Sequence, residues 1–173
     1  MDAMLLDLGD LQIRSWRKSD LEPLLRHANN PKIAANLRDQ FPYPYTRRDA
    51  IDYLSFVRDQ RPERAFAVQH NEEAIGGLGF QIGLDVCRVS AEIGYWISEA
   101  YWGRGFAARA VNALADWAFT EYKLTRVFAL VFSHNQPSIR VLEKSGFQCE
   151  GVLRRSAVKN GVILDQLMYA KVR

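Results

Sequence analysis

The sequence predicts a mixed α/β (α+β) fold, and three observations carry the prediction. Hydrophobic spacing switches from helical to strand-like and back in blocks, instead of alternating strand by helix. Three strand-like runs in the middle are joined by links too short for a helical crossover, which makes them an antiparallel meander. Near the end Asn160-Gly161, the strongest hairpin dipeptide, closes the last two strands.

In chain order, Leu11–Trp16 alternates as a strand. Ser19 then stands as N-cap of a short helix to about His27, with Leu21, Leu24, Leu25 and Ala28 on one face. Asn30-Pro31 restarts the chain into a helical piece over Lys32–Leu37. Phe41–Thr46 (FPYPYT) cannot be helix interior, because each proline lacks a donor and restricts the residue before it. Thr46 caps a helix to about Gln60, with Ala50, Tyr53, Leu54 and Val57 at helical spacing. The meander is Arg64–His70, Ala74–Leu84 and Val89–Ile97, broken at Asn71-Glu72 and near Asp85. Gly105–Tyr122 returns to helical period, placing Ala107, Ala110, Val111, Leu114, Ala118 and Phe119 together. Arg126–Phe132 is an almost continuous apolar strand, as expected where both sheet faces are covered. A helix over Gln136–Lys144 ends at Gly146, ahead of the hairpin.

The length of 173 residues predicts one domain over residues 1–173, with a core that needs no metal or disulfide. Hydrophobic residues at 48% and charged residues at 25% are ordinary for a soluble globular chain. The net charge of +3 comes with acids interspersed throughout, so direct nucleic-acid binding is not expected. Cys87 and Cys149 form no metal-binding pattern, and no metal site is predicted. The acidic N-terminus lacks the basic start and apolar run of a signal peptide, and no stretch is long enough to span a membrane. A cytoplasmic protein is expected.

The chemistry is concentrated in YWGRGFAARA, residues 101–110. Gly103-x-Gly105-x-x-Ala108 satisfies a dinucleotide fingerprint, but its context is missing: no carboxylate ends the following strand, and the preceding strands form a meander. A nucleotide P-loop, G-x-x-x-x-G-K-[ST], is absent. What remains is a glycine turn at a helix start, where free N–H groups and the helix dipole attract an anion such as a pyrophosphate. A turn that merely starts a helix is the plainer alternative.

AEIGYWISEAYWGRGFAARAVNALADWAF, followed by NQPSIRVLEKSGFQCEGVLR, resembles the GNAT acetyltransferases, and within them the RimJ/RimL branch of ribosomal-protein N-terminal acetyltransferases. The resemblance covers nearly the whole chain. It implies a mostly antiparallel seven-stranded sheet, helices on both faces and a splayed central parallel strand pair. It also implies acetyl-CoA as cofactor and amine acetylation as reaction. The family's pyrophosphate loop, Q/R-x-x-G-x-G/A, falls on Trp102, Gly103, Arg104, Gly105, Phe106 and Ala107, with Trp102 replacing the polar anchor. Arg109 stands where many relatives carry Glu. Free backbone groups at Trp96, Ile97 and Ser98 would pair with the pantetheine amides, and Asn135 matches an asparagine that bonds the same arm or caps the next helix.

Glu92 is the candidate general base, with a purely structural carboxylate as the alternative. Many relatives place a tyrosine acid seven residues after the asparagine, where this chain has Leu142. Ser138 matches the branch serine that hydrogen-bonds the leaving sulfur, or else stabilises its helix. An acetyl-cysteine route is disfavoured, with Cys87 lying near a turn and Cys149 following SGF in a strand. His27, His70 and His134 form no evident triad or metal set.

For the acceptor, an α-amine of pKa about 7.8 is roughly 14% neutral at pH 7, against about 0.04% for a lysine amine near 10.4. One carboxylate therefore suits a protein N-terminus, while the resemblance also admits small-molecule amines. Phe41, Tyr43 and Tyr45 are candidates for an aromatic wall. A catalytically inactive acyl-CoA-binding module is the alternative function, and the branch implies a homodimer as a possible assembly.

Overall fold

The computed structural model describes residues 4–173. The reading of the N-terminus as leaderless includes residues 1–3, which lie outside the described residues. The chain runs β1 (Leu5–Asp7), β2 (Gln12–Ser15), α1 (Leu21–Ala28), α2 (Pro31–Ala34), α3 (Arg47–Asp59), β3 (Ala65–His70), β4 (Glu73–Ile82), β5 (Ser90–Ile97), α4 (Phe106–Glu121), β6 (Arg126–Phe132), α5 (Gln136–Lys144), β7 (Gln148–Lys159) and β8 (Val162–Val172). The strands form one sheet in the order β1-β2-β3-β4-β5-β6-β8-β7. Every neighbouring pair is antiparallel except β5–β6.

The sheet has eight strands, where seven were expected. The additional edge strand, β1, pairs Leu5 with Arg14 and Asp7 with Gln12. Three residues without an alternating pattern carry no strand signal of their own; the pairing with β2 creates it. Ser19 does not cap α1 either. It sits inside a single 3-10 turn, Lys18–Asp20, and α1 begins at Leu21. Asp20 organises this corner instead, accepting the Arg17 N–H at 2.8 Å and both terminal nitrogens of Arg14 at 2.8 and 2.7 Å. α2 is one turn long and stops at Ala34, short of Leu37. Thr46 caps α3 as expected, in a reciprocal box with Asp49.

Strand alternation sorts the core onto two faces. Phe66 and Val68 of β3 point to the side covered by α4 and α5, with Ile93, Val111, Leu114 and Leu142. Ala67, between them, points to the side covered by α1 and α3, with Leu24, Ala50 and Leu54.

The feature that positions the site is the divergence of β5 and β6. They pair only at Ser90↔Arg126, Ala91↔Val127 and Glu92↔Phe128. Beyond that point β5 stays paired with β4 as far as Ile97, and β6 stays paired with β8 as far as Phe132. Each strand keeps its outer partner and loses its inner one, so a wedge opens in the middle of the sheet.

Candidate active site

The glycine turn lies at the mouth of this wedge. Gly103 and Gly105 both have positive φ, +77° and +76°, which only glycine adopts without strain. Gly105 is the N-cap of α4 and supplies no side chain, and the first turn of α4 holds no acidic residue. The first helical bond runs from Arg109 N–H to Gly105 O. Among the described residues, the N–H groups from Gly103 to Ala108 donate to no backbone or side-chain oxygen. A Cβ built on Gly103 or Gly105 meets nothing within 4 Å. The corner is thus an open, electropositive arc of donors, as an anion requires.

Trp102 is exposed, and its indole N–H donates to Ile97 O at 2.7 Å. It therefore latches the loop to the end of β5 and leaves anion contact to the main chain. Arg104 stands over the Tyr101 ring at 5.1 Å. Arg109 faces away from the arc, bonding Leu8 O and Asp10 at 2.6 Å each, and so ties α4 to the β1–β2 turn.

The backbone groups expected to be free at Trp96–Ser98 are fewer than the sequence implies. Ser98 N–H bonds Ile75 O at 2.8 Å, and Ser98 O accepts from Tyr101 N–H at 2.9 Å. Since Ser98 addresses β4, alternation sends the Trp96 groups to β4 as well. Tyr95 and Ile97 are the residues whose N–H groups face the wedge, and the Ile97 carbonyl already accepts from Trp102. An unpaired inner strand edge of this kind fits the amide arm of a pantetheine, and the donor arc fits the diphosphate of coenzyme A.

Glu92 and Trp96 share the face covered by α1 and α3, with Gly94 between them. Gly94 is exposed, and a Cβ there would meet nothing within 4 Å, so the strand offers an open floor. Phe41 packs edge-on to Trp96 at 5.6 Å and against Tyr45 at 5.2 Å, forming an aromatic wall; Tyr43 is exposed and outside it. Glu92 is ion-paired with Arg38 from the segment after α2. On the opposite face, Ser138 Oγ lies 2.7 Å from the Tyr95 hydroxyl. Burial pushes the Tyr95 phenol up to about 12, so it keeps its proton. Asn135 Oδ1 caps α5 by accepting the Ser138 N–H at 3.3 Å, and its side-chain NH2 is not used in that bond. Glu92 and Ser138 thus flank the wedge from its two faces.

The histidines are not all scattered. His27 Nε2 lies 2.9 Å from Glu73 and its Nδ1 lies 2.9 Å from Ser98 Oγ. A carboxylate only accepts, so Nε2–H donates to Glu73, while Nδ1 is bonded to the Ser98 hydroxyl. This chain pins α1 to the end of β5. Separations of 71 and 46 residues hid it from sequence patterns. Tyr95 was missed for the same reason. His70 packs on Phe106 and His134 on Phe132, in different places. Among the described residues no cluster could hold a metal ion, and no helix is long and apolar enough to cross a membrane. A depression of about 450 Å³ on the outer face of α3 contains none of the predicted site residues.

Comparison with known proteins bears out the fold and the family. Residues 10–148 match the family model of the acetyltransferase (GNAT) domain. The chain is 31% identical, over 94% of its length and 93% of the relative's, to a Bacillus licheniformis protein described as an uncharacterised N-acetyltransferase. It is 28% identical to a spermidine N(1)-acetyltransferase of Vibrio cholerae, over 91% and 90% of the two chains. Among solved structures, Mycobacterium smegmatis RimJ with a coenzyme A disulfide superposes with a TM-score of 0.83 at 25% identity, covering 98% of this chain and 86% of RimJ. A RimL ribosomal-protein acetyltransferase bound to coenzyme A shares the fold, with a TM-score of 0.86 at 22% identity over 98% of each chain. The chain belongs to the GNAT family of acetyltransferases, enzymes whose acetyl donor is acetyl-CoA.

Proposed function

We propose that the acetyl group passes directly to a primary amine, a protein N-terminal α-amine or a small-molecule amine, at the wedge between β5 and β6. The observation that carries this reading is the unpaired N–H arc of Gly103–Ala108 opening onto a strand gap with a carboxylate on one face and a hydroxyl on the other. When bound, acetyl-CoA supplies an activated thioester. The arc holds its diphosphate, and the Tyr95 and Ile97 backbone groups with Asn135 orient its amide arm. Glu92 takes the proton of the attacking amine. Ser138, with the Tyr95 phenol behind it, presents its Oγ–H to the departing sulfur. The opposed placement suits direct transfer, and both cysteines are exposed.

Relatives named for spermidine and for ribosomal N-acetylation support both kinds of amine. One modest carboxylate favours the α-amine, which is already partly neutral near pH 7. Thiol release from acetyl-CoA tests the proposal, using peptides with a free N-terminus beside the same peptides blocked there but carrying lysine. Turnover on the free α-amine is expected; turnover on lysine alone would overturn the acceptor assignment. Coenzyme binding with no thiol release on any amine would identify an inactive acyl-CoA-binding module instead.

A further inference from the structure

On the Glu92 face a groove of about 220 Å³ opens between the Leu37–Asp39 stretch, the end of β6 and the last residues of β7. Leu130, Phe132 and Val158 give it an apolar lining, and its two cations are Arg38 and Lys159. The Lys159 side chain is only 9% exposed, and its ammonium lies 2.8 Å from Asp39, which is 80% exposed. Arg38 is bonded to Glu92. Asp39 is the one carboxylate in the groove lining among the described residues.

Each carboxylate here already has a cation of the protein's own. A polyamine that placed one nitrogen beside Glu92 would bring its other charges toward Arg38 and Lys159, and Lys159 is buried enough for water to screen it little. An acceptor carrying an acid meets the reverse situation. When its amine replaces the guanidinium at Glu92, the Arg38 side chain, 60% exposed, loses its partner and is free to bond another anion. A carboxylate on the acceptor supplies a new one. Lys159, whose present partner Asp39 is largely exposed, can turn to the same carboxylate.

We infer that the acceptor is an amine bearing a carboxylate, recognised by Arg38 and Lys159, and not a polycation. This rests on the acyl-transfer reading of the Glu92 site. Two sources share the chemistry: a peptide whose N-terminal residue is followed by Asp or Glu, and a free amino acid.

Coenzyme A release by the full chain is measured with Ser-Glu-Glu-Ala-Ala amide, Ser-Ala-Ala-Ala-Ala amide, Ser-Lys-Lys-Ala-Ala amide, free serine, free glutamate and spermidine. The better acid-bearing acceptor should exceed the neutral peptide about tenfold in kcat/KM, with the basic peptide and spermidine below it. Precedence of the acidic peptide identifies a protein source, and precedence of a free amino acid a small-molecule one. Added salt should depress kcat/KM for the acidic acceptor more than for the neutral peptide, a readout that needs no variant. Lys159→Met should cut the acidic-to-neutral ratio to below about threefold and Lys159→Arg should keep it, with protection by acetyl-CoA showing that both are folded. Equal use of acidic and neutral acceptors, a preference for spermidine or the basic peptide, or an unchanged ratio in Lys159→Met overturns the inference. If the chain binds acetyl-CoA but acetylates none of these amines, the transfer reading itself fails and takes this one with it.

Discussion

The Tyr95 hydroxyl and Ser138 Oγ lie 2.7 Å apart, joining β5 to α5 across the widening end of the sheet. The phenol keeps its proton and lies 3.2 Å from the Ser138 carbonyl oxygen as well; when it donates to Oγ, the serine hydrogen is free to point toward the wedge. Ser138→Ala and Tyr95→Phe should each lower kcat about 10- to 100-fold, with little change in KM for acetyl-CoA. Because the two act as a unit, the double variant should lose little more than the worse single one. Steady-state kinetics of the four proteins check this, and full additivity would separate the two roles.

Glu92→Gln keeps the shape of the side chain and removes its basicity. Turnover should fall about 100-fold while acetyl-CoA affinity by calorimetry stays within about twofold. A variant with undiminished turnover across the pH range would show that Glu92 only anchors Arg38.

Gly105 combines positive φ with open space beyond its Cα. Gly105→Ala should cost about 1–2 kcal/mol in urea unfolding, through backbone conformation alone. Gly105→Glu adds a carboxylate facing the arc and should abolish the rise in Tm produced by acetyl-CoA. Full retention of that rise would place the diphosphate elsewhere.

Arg14 and Asp20 form a buried pair with side chains 3% and 5% exposed. Asp20→Ala would strand the guanidinium and release the Arg17 N–H, at a cost of about 3–5 kcal/mol. Chemical denaturation measures it, and a loss below about 1 kcal/mol would mean that the corner relaxes to let water in.

Burial alone would raise the Glu73 carboxyl, but hydrogen bonds from His27 and Arg26 outweigh it and hold the group below the usual carboxylate range. The folded state therefore binds this proton less tightly than the unfolded chain. Its contribution to stability is complete above the unfolded value, about 4.3, and is lost as pH falls through the lower folded value. Melting curves of wild type and Glu73→Gln should converge as pH drops from about 6 to about 3. Parallel curves would remove the linkage.

Legibility in the sequence followed the range of the interactions. β6 and α5 lie at the residues that the pattern predicts, because a continuous apolar run and a helix bounded by Pro137 and Gly146 are local signals. β1 was invisible because it is a strand only by pairing with β2. The donor arc was readable because its two glycines stand two positions apart at the start of a helical pattern. The Tyr95–Ser138 and His27–Ser98–Glu73 contacts join residues dozens of positions apart, and no local pattern marks them. Ser98 shows a further limit: its place in the motif was evident, but which neighbouring strand its backbone addresses depends on register.

The three rungs between β5 and β6 also describe a mechanical seam. One half of the sheet, β1 to β5, and the other, β6 to β8, share only that short ladder, reinforced by what packs across it. A molecule seated in the opening would act as a rivet between the halves, so amides at Tyr95 and Ile97 should exchange with deuterium fast in the empty protein and slowly once the joint is filled.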